Sequence, residues 1–376
     1  MRRLHVFFTL LIGILLLAPG CRGPVEPHQI SFQGATIVVW DAKEPHLPGA
    51  TPFSELVAQA VEVFAKENAA KIEVLFKSRS EIESLLTGTY QGEKPALVYS
   101  TEWPFLGSGM QDLTGVMPDD EYQDASMAYW TDDGKIMGIP SYVHWLCLAS
   151  KLPESEEFKD RAGYFLASPG FLDSGLAGLD GGWAVQNVLD YVEWVGSNFG
   201  RYVEEPLDRW AQNQSVALFP VTPHMLKWLR LSEEGSSVAM LPIPGPNGQS
   251  GFYFTVPGYA VMATDETEFT CAFELGKILA RTRGRWAARA IGGIPCFIQD
   301  VPVYHLESGF SREERLDLIA EFEKSGSRIL RLDEFLMRGE IRPGITSLIE
   351  RYLSGKLNKE QLEEGIRSRM RGYTNH

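Results

Sequence analysis

The chain has 376 residues, with 35 Lys and Arg against 49 Asp and Glu, a formal net charge of −14 at pH 7, and 11% aromatic residues. A chain this long usually splits into two lobes, each with its own core. Its acidic balance argues against a nucleic-acid or anionic-membrane surface, since both need clustered Lys and Arg. The only basic run, Arg367-Ser368-Arg369-Met370-Arg371, reads as a helix end.

Arg2 and Arg3 precede an apolar run from Val6 to Ala18 that ends in Leu17-Ala18-Pro19-Gly20-Cys21. The run is shorter than the roughly 20 residues of a spanning helix, and small residues follow it, so residues 1–20 read as an export signal. The junction resembles a bacterial lipobox, although Ala18 stands where Leu is usual. That resemblance implies lipidation of Cys21, an extracytoplasmic location at the outer face of the cytoplasmic membrane or in a periplasm, and membrane contact through the lipid anchor alone. Residues 21–34, rich in Pro, Gly and polar side chains, read as a tether. The other cysteines, Cys147, Cys271 and Cys296, are expected as small buried hydrophobes, with one disulfide among them open in an oxidising compartment.

The ordered body opens with Ala35 to Trp40, an apolar β-branched run typical of a strand buried on both faces. Thr51-Pro52 reads as the N-cap and first position of a helix reaching about Glu67, with Leu56, Ala60, Val63 and Phe64 on one face. A strand (Lys71 to Phe76), a helix (Ser80 to Leu86) and a strand (Ala96 to Ser100) follow. This β-α-β-α-β order predicts an open parallel α/β sheet whose ligands bind beyond the carboxyl ends of its strands. Asp133-Gly134 marks a turn, and Ser141 to Ala149 is strand-like. Helices (Trp183 to Phe199, Glu205 to Ala211) and short strands (Val216 to Phe219, Ser237 to Leu241) then form a second lobe. Tyr259 to Ala263 resumes an apolar strand and leads into a helix over Glu268 to Ala280. The C-terminal part is helical: Arg312 to Lys324, Gly344 to Leu353, and a last helix opened by Asn358 and Gln361.

Several of these segments, taken in order, resemble the extracellular solute-binding proteins of ATP-binding-cassette importers, in the family that takes up maltose and other oligosaccharides. They include Gly92-Glu93-Lys94-Pro95-Ala96-Leu97-Val98, Gly109-Met110-Gln111-Asp112-Leu113, Gly134-Lys135-Ile136-Met137-Gly138-Ile139-Pro140, Gly258-Tyr259-Ala260-Val261 and Ile294-Pro295. The resemblance runs over roughly residues 35 to 300. It implies an α/β, two-lobe, periplasmic-binding-protein-like (type II) fold, two open α/β sheets joined by a hinge with the ligand cleft between. Residues 35–141 and 255–305 would form the N-terminal lobe, and 142–254 and 306–376 the C-terminal lobe. Thr255-Val256-Pro257 departs from the family where a ligand-touching loop is common, so the identity of the ligand does not transfer.

Sugars offer hydroxyls to polar side chains and flat C–H faces to aromatic rings. The candidate ligand-binding residues supplying that mixture are Trp40, Asp41, Glu102, Trp103, Tyr142, His144, Phe171, His224 and Phe254. Packing is the competing reading for several of them. Trp40 suits a core, Asp41 a helix-entry cap, one of Tyr142 and His144 a buried site, and a lone His224 a structural role. Trp183, Trp194, Trp210, Trp228 and Trp286 fall at helical positions and are expected in the core. The expected partners are a small-molecule solute, a carbohydrate first, and the permease subunits in the membrane, with the protein a monomer. No cofactor, metal or nucleic acid is expected. A sensory solute-binding lipoprotein, a receptor for polyamines or other small cations, and an exported hydrolase are the alternatives. The chain lacks His-Glu-x-x-His, Cys-x-x-Cys, Gly-x-Ser-x-Gly and P-loop motifs, which counts against the hydrolase.

Overall fold

The computed structural model describes residues 32, 34–42, 51–86, 90–100, 109–118, 120–150, 185–198, 218–232, 238–244, 250–324 and 341–370. The elements are, in order, β1 (Thr36–Ala42), α1 (Phe53–Asn68), β2 (Lys71–Lys77), α2 (Arg79–Leu86), β3 (Leu97–Ser100), α3 (Asp124–Tyr129), β4 (Thr131–Asp132), β5 (Lys135–Ile136), β6 (Ile139–Pro140) and β7 (Tyr142–Ser150). Then come α4 (Val185–Asn198), β8 (Leu218–Val221), α5 (Pro223–Ser232), β9 (Ala239–Leu241), β10 (Ile243–Pro244), β11 (Ser250–Gly251), β12 (Tyr253–Thr255), β13 (Gly258–Val261), α6 (Glu266–Ala290) and β14 (Ile294–Pro295). A 3-10 turn (Ile298–Asp300) leads to α7 (Val301–Glu307), α8 (Arg312–Lys324), α9 (Ile341–Leu353) and α10 (Lys359–Met370).

Two sheets organise these elements. The first has the order β2-β1-β3-β13-β6. β1 is parallel to β2 from Thr36↔Lys71 to Ala42↔Lys77, and parallel to β3 at Val39↔Leu97. The returning β13 runs antiparallel between β3 and β6. Ile37, Val39, Leu97, Val98, Tyr259 and Val261 are fully buried, as expected where strands are covered on both faces. The second sheet is built on β7. Its first residues pair with β14, its middle with β12 and its end with β8 and β9.

The chain passes between the sheets at one tight junction. The Ser141 N–H, between β6 and β7, donates to the Pro257 carbonyl at 2.9 Å, and the Ser141 carbonyl accepts from Cys296 N–H at 3.1 Å. Three crossing segments are thus tied at a single residue. Helix α6 lies directly against the tie: a Cβ on Gly284 would stand 2.6 Å from the Ser141 carbonyl oxygen. Trp130 closes the other side, fully buried, its indole N–H donating to the Val256 carbonyl at 2.9 Å.

Several local expectations are corrected. The buried stripe of α1 is Phe53, Val57, Val61 and Phe64, and Val63 is 54% exposed. Thr51 does not cap the helix. Its carbonyl instead accepts the Trp286 indole N–H at 2.8 Å, which sets the rotation of α1 against α6. Helix α6 extends to Ala290 because Arg281, Arg285 and Arg289, good helix formers, continue it on the exposed side while Trp286, Ala287, Ala288 and Ala290 pack inward. Its start is capped by Asp265, whose carboxylate accepts from Thr267 and Glu268 N–H at 3.0 and 3.1 Å. Cys147, Cys271 and Cys296 are buried free thiols. Trp286 is a core residue and Trp228 packs half-buried against the core, while Trp183 and Trp210 lie outside the described residues.

The most demanding contact in the core is an ion pair. Arg283 on α6 and Asp41 at the end of β1 are both fully buried, and the guanidinium donates to Asp41 Oδ1. Tyr259 O–H donates to Asp41 Oδ2 at 2.8 Å, and Ala42 N–H donates to Asp41 Oδ1 at 2.7 Å. The guanidinium is flanked by the Phe53 and Tyr99 rings, 3.9 and 3.6 Å from their centroids. Removing one partner of a buried pair strands the other charge, whereas replacing both by apolar groups can be nearly neutral. Asp41→Ala should therefore lower stability by about 3–5 kcal/mol in urea unfolding, and adding Arg283→Met should restore much of that loss.

Candidate functional site

The pleat of β7 divides its side chains. Val143, Trp145, Cys147 and Ala149 are fully buried on one face, while His144 and Leu146 on the other are half-buried. The buried face is anchored firmly. Trp145 donates its indole N–H to the Gly292 carbonyl at 3.3 Å and packs edge-on against Phe310, 5.3 Å between centroids. This anchoring turns His144 towards the accessible side.

Two further groups join His144 there, and His224 lies on the adjoining helix. Tyr142, two residues back, lies in a T-shaped contact with the His144 ring at 6.5 Å. It is itself 1% exposed, so of this pair the histidine is the accessible member. Thr255 of β12 is the register partner of His144 and is half-buried. His224 stands at the second position of α5, also half-buried, with Nδ1 2.9 Å from Thr222 Oγ1. Burial first, and His224 second, push the His144 pKa down to about 4. Burial also lowers that of His224. Both rings are therefore neutral at pH 7, and each nitrogen can donate or accept according to tautomer. Two neutral imidazoles, two threonine hydroxyls and a tyrosine ring can hydrogen-bond an uncharged, hydroxyl-bearing ligand.

Trp40, Asp41 and Phe254 are turned inward and do not join this group. Trp40 is 2% exposed, with the Tyr90 ring edge-on at 4.9 Å and the Lys77 ammonium over its face at 4.8 Å. Asp41 has both carboxylate oxygens engaged by the Arg283 network. Phe254 is fully buried against Phe322, 5.3 Å between centroids, because the pleat of β12 sends it away from Thr255. Glu102, Trp103, Phe171 and Cys21 lie outside the described residues. The residues not among the sequence candidates are Thr222 and Thr255, the second noted only as a departure in a loop that commonly touches ligand. Both adjoin marked positions, but hydroxyls carry no pattern of their own.

Among the described residues no group of three or more His, Cys, Asp or Glu side chains is arranged to hold a metal ion. No described helix is long and apolar enough to cross a membrane.

The neutral rings have a thermodynamic consequence. The unfolded chain takes up a proton at each histidine near pH 6.5, and the folded chain only at lower pH. Their contribution to stability is thus full above about 6.5 and declines as pH falls towards 4. Urea unfolding across this window should lose up to about 3 kcal/mol from His144, and His144→Gln should flatten the slope relative to the parent chain.

No protein-family model and no curated protein sequence matches the chain. Solved structures do match it along most of its length. The maltose-bound MalE3 of T. maritima is 14% identical with a TM-score of 0.61, covering 90% of this chain and 99% of its own. The maltose/maltodextrin-binding domain MalE of Bdellovibrio bacteriovorus, bound to maltotriose, is 15% identical with a TM-score of 0.63, covering 91% and 100%. An ABC transporter solute-binding protein from Thermotoga lettingae, bound with α-D-tagatose, is 13% identical with a TM-score of 0.62, covering 90% and 98%. With its two sheets joined by crossing strands, the chain has the two-lobe α/β fold of the maltose/maltodextrin-type solute-binding proteins.

Proposed function

We propose that this protein is the substrate-binding component of an ATP-binding-cassette importer, capturing a sugar or oligosaccharide between its lobes and delivering it to the membrane permease. The observation that carries this reading is the pairing of the Ser141 tie with the half-buried polar group beside it. Ser141 joins the three crossing segments at a pivot, with Tyr142 and His144 just after it on β7 and Thr255 two residues before Pro257 on the returning segment. A ligand held there lies where closure of one lobe on the other would enclose it, and its binding would shift the population towards the closed form.

The lobe assignment that goes with this reading is 35–141 with 255–305, and 142–254 with 306–376. Trp103 and Phe171 are proposed as ring platforms for sugar C–H faces, with Glu102 and the two histidines bonding hydroxyls. Lipidation at Cys21 would hold the body outside the cytoplasmic membrane. A polyamine cargo has less support, because the carboxylate of Asp41, next to Trp40, is already neutralised by Arg283. The reading also makes the protein a binder without catalysis.

A thermal-shift screen against maltose, maltotriose, tagatose, spermidine and putrescine tests it. A saturating sugar at 100 times its dissociation constant should add about 2.7 kcal/mol of stability. Trp103→Ala and His224→Ala should each abolish most of that shift at the same concentration. A shift with polyamines alone would overturn the carbohydrate assignment.

A further inference from the structure

Helix α6 is covered on most sides and leaves one stripe open. Ile278, Arg281, Arg285 and Arg289 recur along it at steps of three and four residues, the spacing of a single helix face, while the residues between them are largely buried. The 3-10 turn and α7 are fastened alongside this stripe. Arg281 donates to Gln299 Oε1 at 3.3 Å and to Asp300 at 3.0 and 3.3 Å, Arg285 donates to Asp300 at 2.8 Å, and Arg289 donates to Glu307 at 3.2 Å. These bonds bring two further apolar side chains to the arginines. Ile298 directly precedes Gln299, and Leu306, 83% exposed, directly precedes Glu307.

The electrostatics of the stripe run against those of the whole chain. The Asp300 side chain is 2% exposed, whereas the Arg281 and Arg285 side chains that share it are 38% and 46% exposed. Solvent therefore meets the guanidiniums rather than the carboxylate beneath them. Three arginines face only Asp300 and Glu307, on a chain with a net charge of −14. Both guanidiniums reach Asp300 through Nε and Nη2, which leaves Nη1 of each for an incoming group. The Phe297 ring, 5.6 Å from the Arg281 guanidinium carbon, helps to hold that fork in place. Fixed guanidiniums beside exposed apolar side chains suit a partner that brings carboxylates and apolar groups together.

We propose that the α6 stripe, with the 3-10 turn and α7, is a docking surface for an acidic amphipathic helix of a partner protein. Arg281, Arg285 and Arg289 recur every four residues, about 6 Å apart along the axis. Carboxylates recur at the same interval on one face of a partner helix. Ile278, Ile298 and Leu306 take its apolar side chains. Two other occupants fit less well. A nucleic acid or an anionic bilayer needs a denser cluster of uncompensated cations, and two copies of this chain repel through their net charge. The surface is independent of the proposed solute cleft.

The test uses the full chain and a fluorescein-labelled synthetic helix of about four turns, with Glu at every fourth position of one face and Leu beside it, followed by fluorescence anisotropy. Saturable binding that weakens with added salt is expected. Arg285→Gln with Arg289→Gln should lower the affinity at least about tenfold, and Leu306→Ser by about threefold. Lys66→Gln with Lys356→Gln, which removes the same charge from α1 and from the turn before α10, should leave it unchanged. Arg281 is kept in every variant so that Asp300 retains a partner, and thermal unfolding checks that each variant folds. Four results would overturn the proposal: no binding at millimolar peptide, equal binding of a peptide with Lys in place of Glu, equal losses in the two double variants, or binding indifferent to Arg285 and Arg289. Vesicles of phosphatidylglycerol that retain the parent chain but not the Arg285 and Arg289 variant, without peptide binding, would assign the surface to a membrane instead. Self-association in sedimentation that the same variant abolishes would assign it to a second copy, and either outcome overturns the acidic helix.

Discussion

A fully buried guanidinium must be surrounded by groups that replace its hydration, and Arg283 draws those groups from four elements. Asp41 comes from β1, Tyr259 from β13, Phe53 from α1 and Tyr99 from β3, while the arginine itself belongs to α6. The charge cannot be neutralised by deprotonation, so the arrangement is complete or costly. Placing this one side chain fixes how α6 lies on the first sheet. That placement brings Gly284 against Ser141 one residue later, and Trp286 against the start of α1.

The consequences reach the site through the backbone. With Ser141 held from both sides, β7 leaves the junction in a fixed register, and Trp145 is anchored to Gly292 at the far end of α6. The pleat then leaves His144 no choice of face. His144 is accessible on the second sheet because Trp145 and its neighbours bury the other face of the same strand. The same burial that orients the rings keeps them uncharged, so geometry and protonation state share one physical cause.

Much of this was legible in the residues. β-branched runs without alternation marked the strands buried on both faces, and the spacing of Gly, Pro and turn residues gave their order. Tyr142 and His144 were correctly grouped by strand alternation, with one of them expected inside. Trp40 and Asp41 were misjudged because a strand's carboxyl end is where ligands commonly bind in open α/β sheets. Nothing local reveals that Asp41 has a partner 242 residues away. The α1 stripe was misplaced by one position for a similar reason, since its rotation is set by the Trp286 bond rather than by Thr51.

Local pattern thus determined what depends on neighbours in the chain: the elements, their α/β alternation and the strand that carries Tyr142 and His144, while the two-lobe architecture came from the family resemblance. Tertiary structure alone decided what depends on partners distant in sequence. It joined Asp41 to Arg283, tied three crossings at Ser141, set Thr255 opposite His144 and buried Phe254 against Phe322. Periodicity encodes which face of an element is apolar. The identity of whatever covers that face, and so whether a polar residue there is spent on structure or left for a ligand, is settled only when the chain has closed on itself.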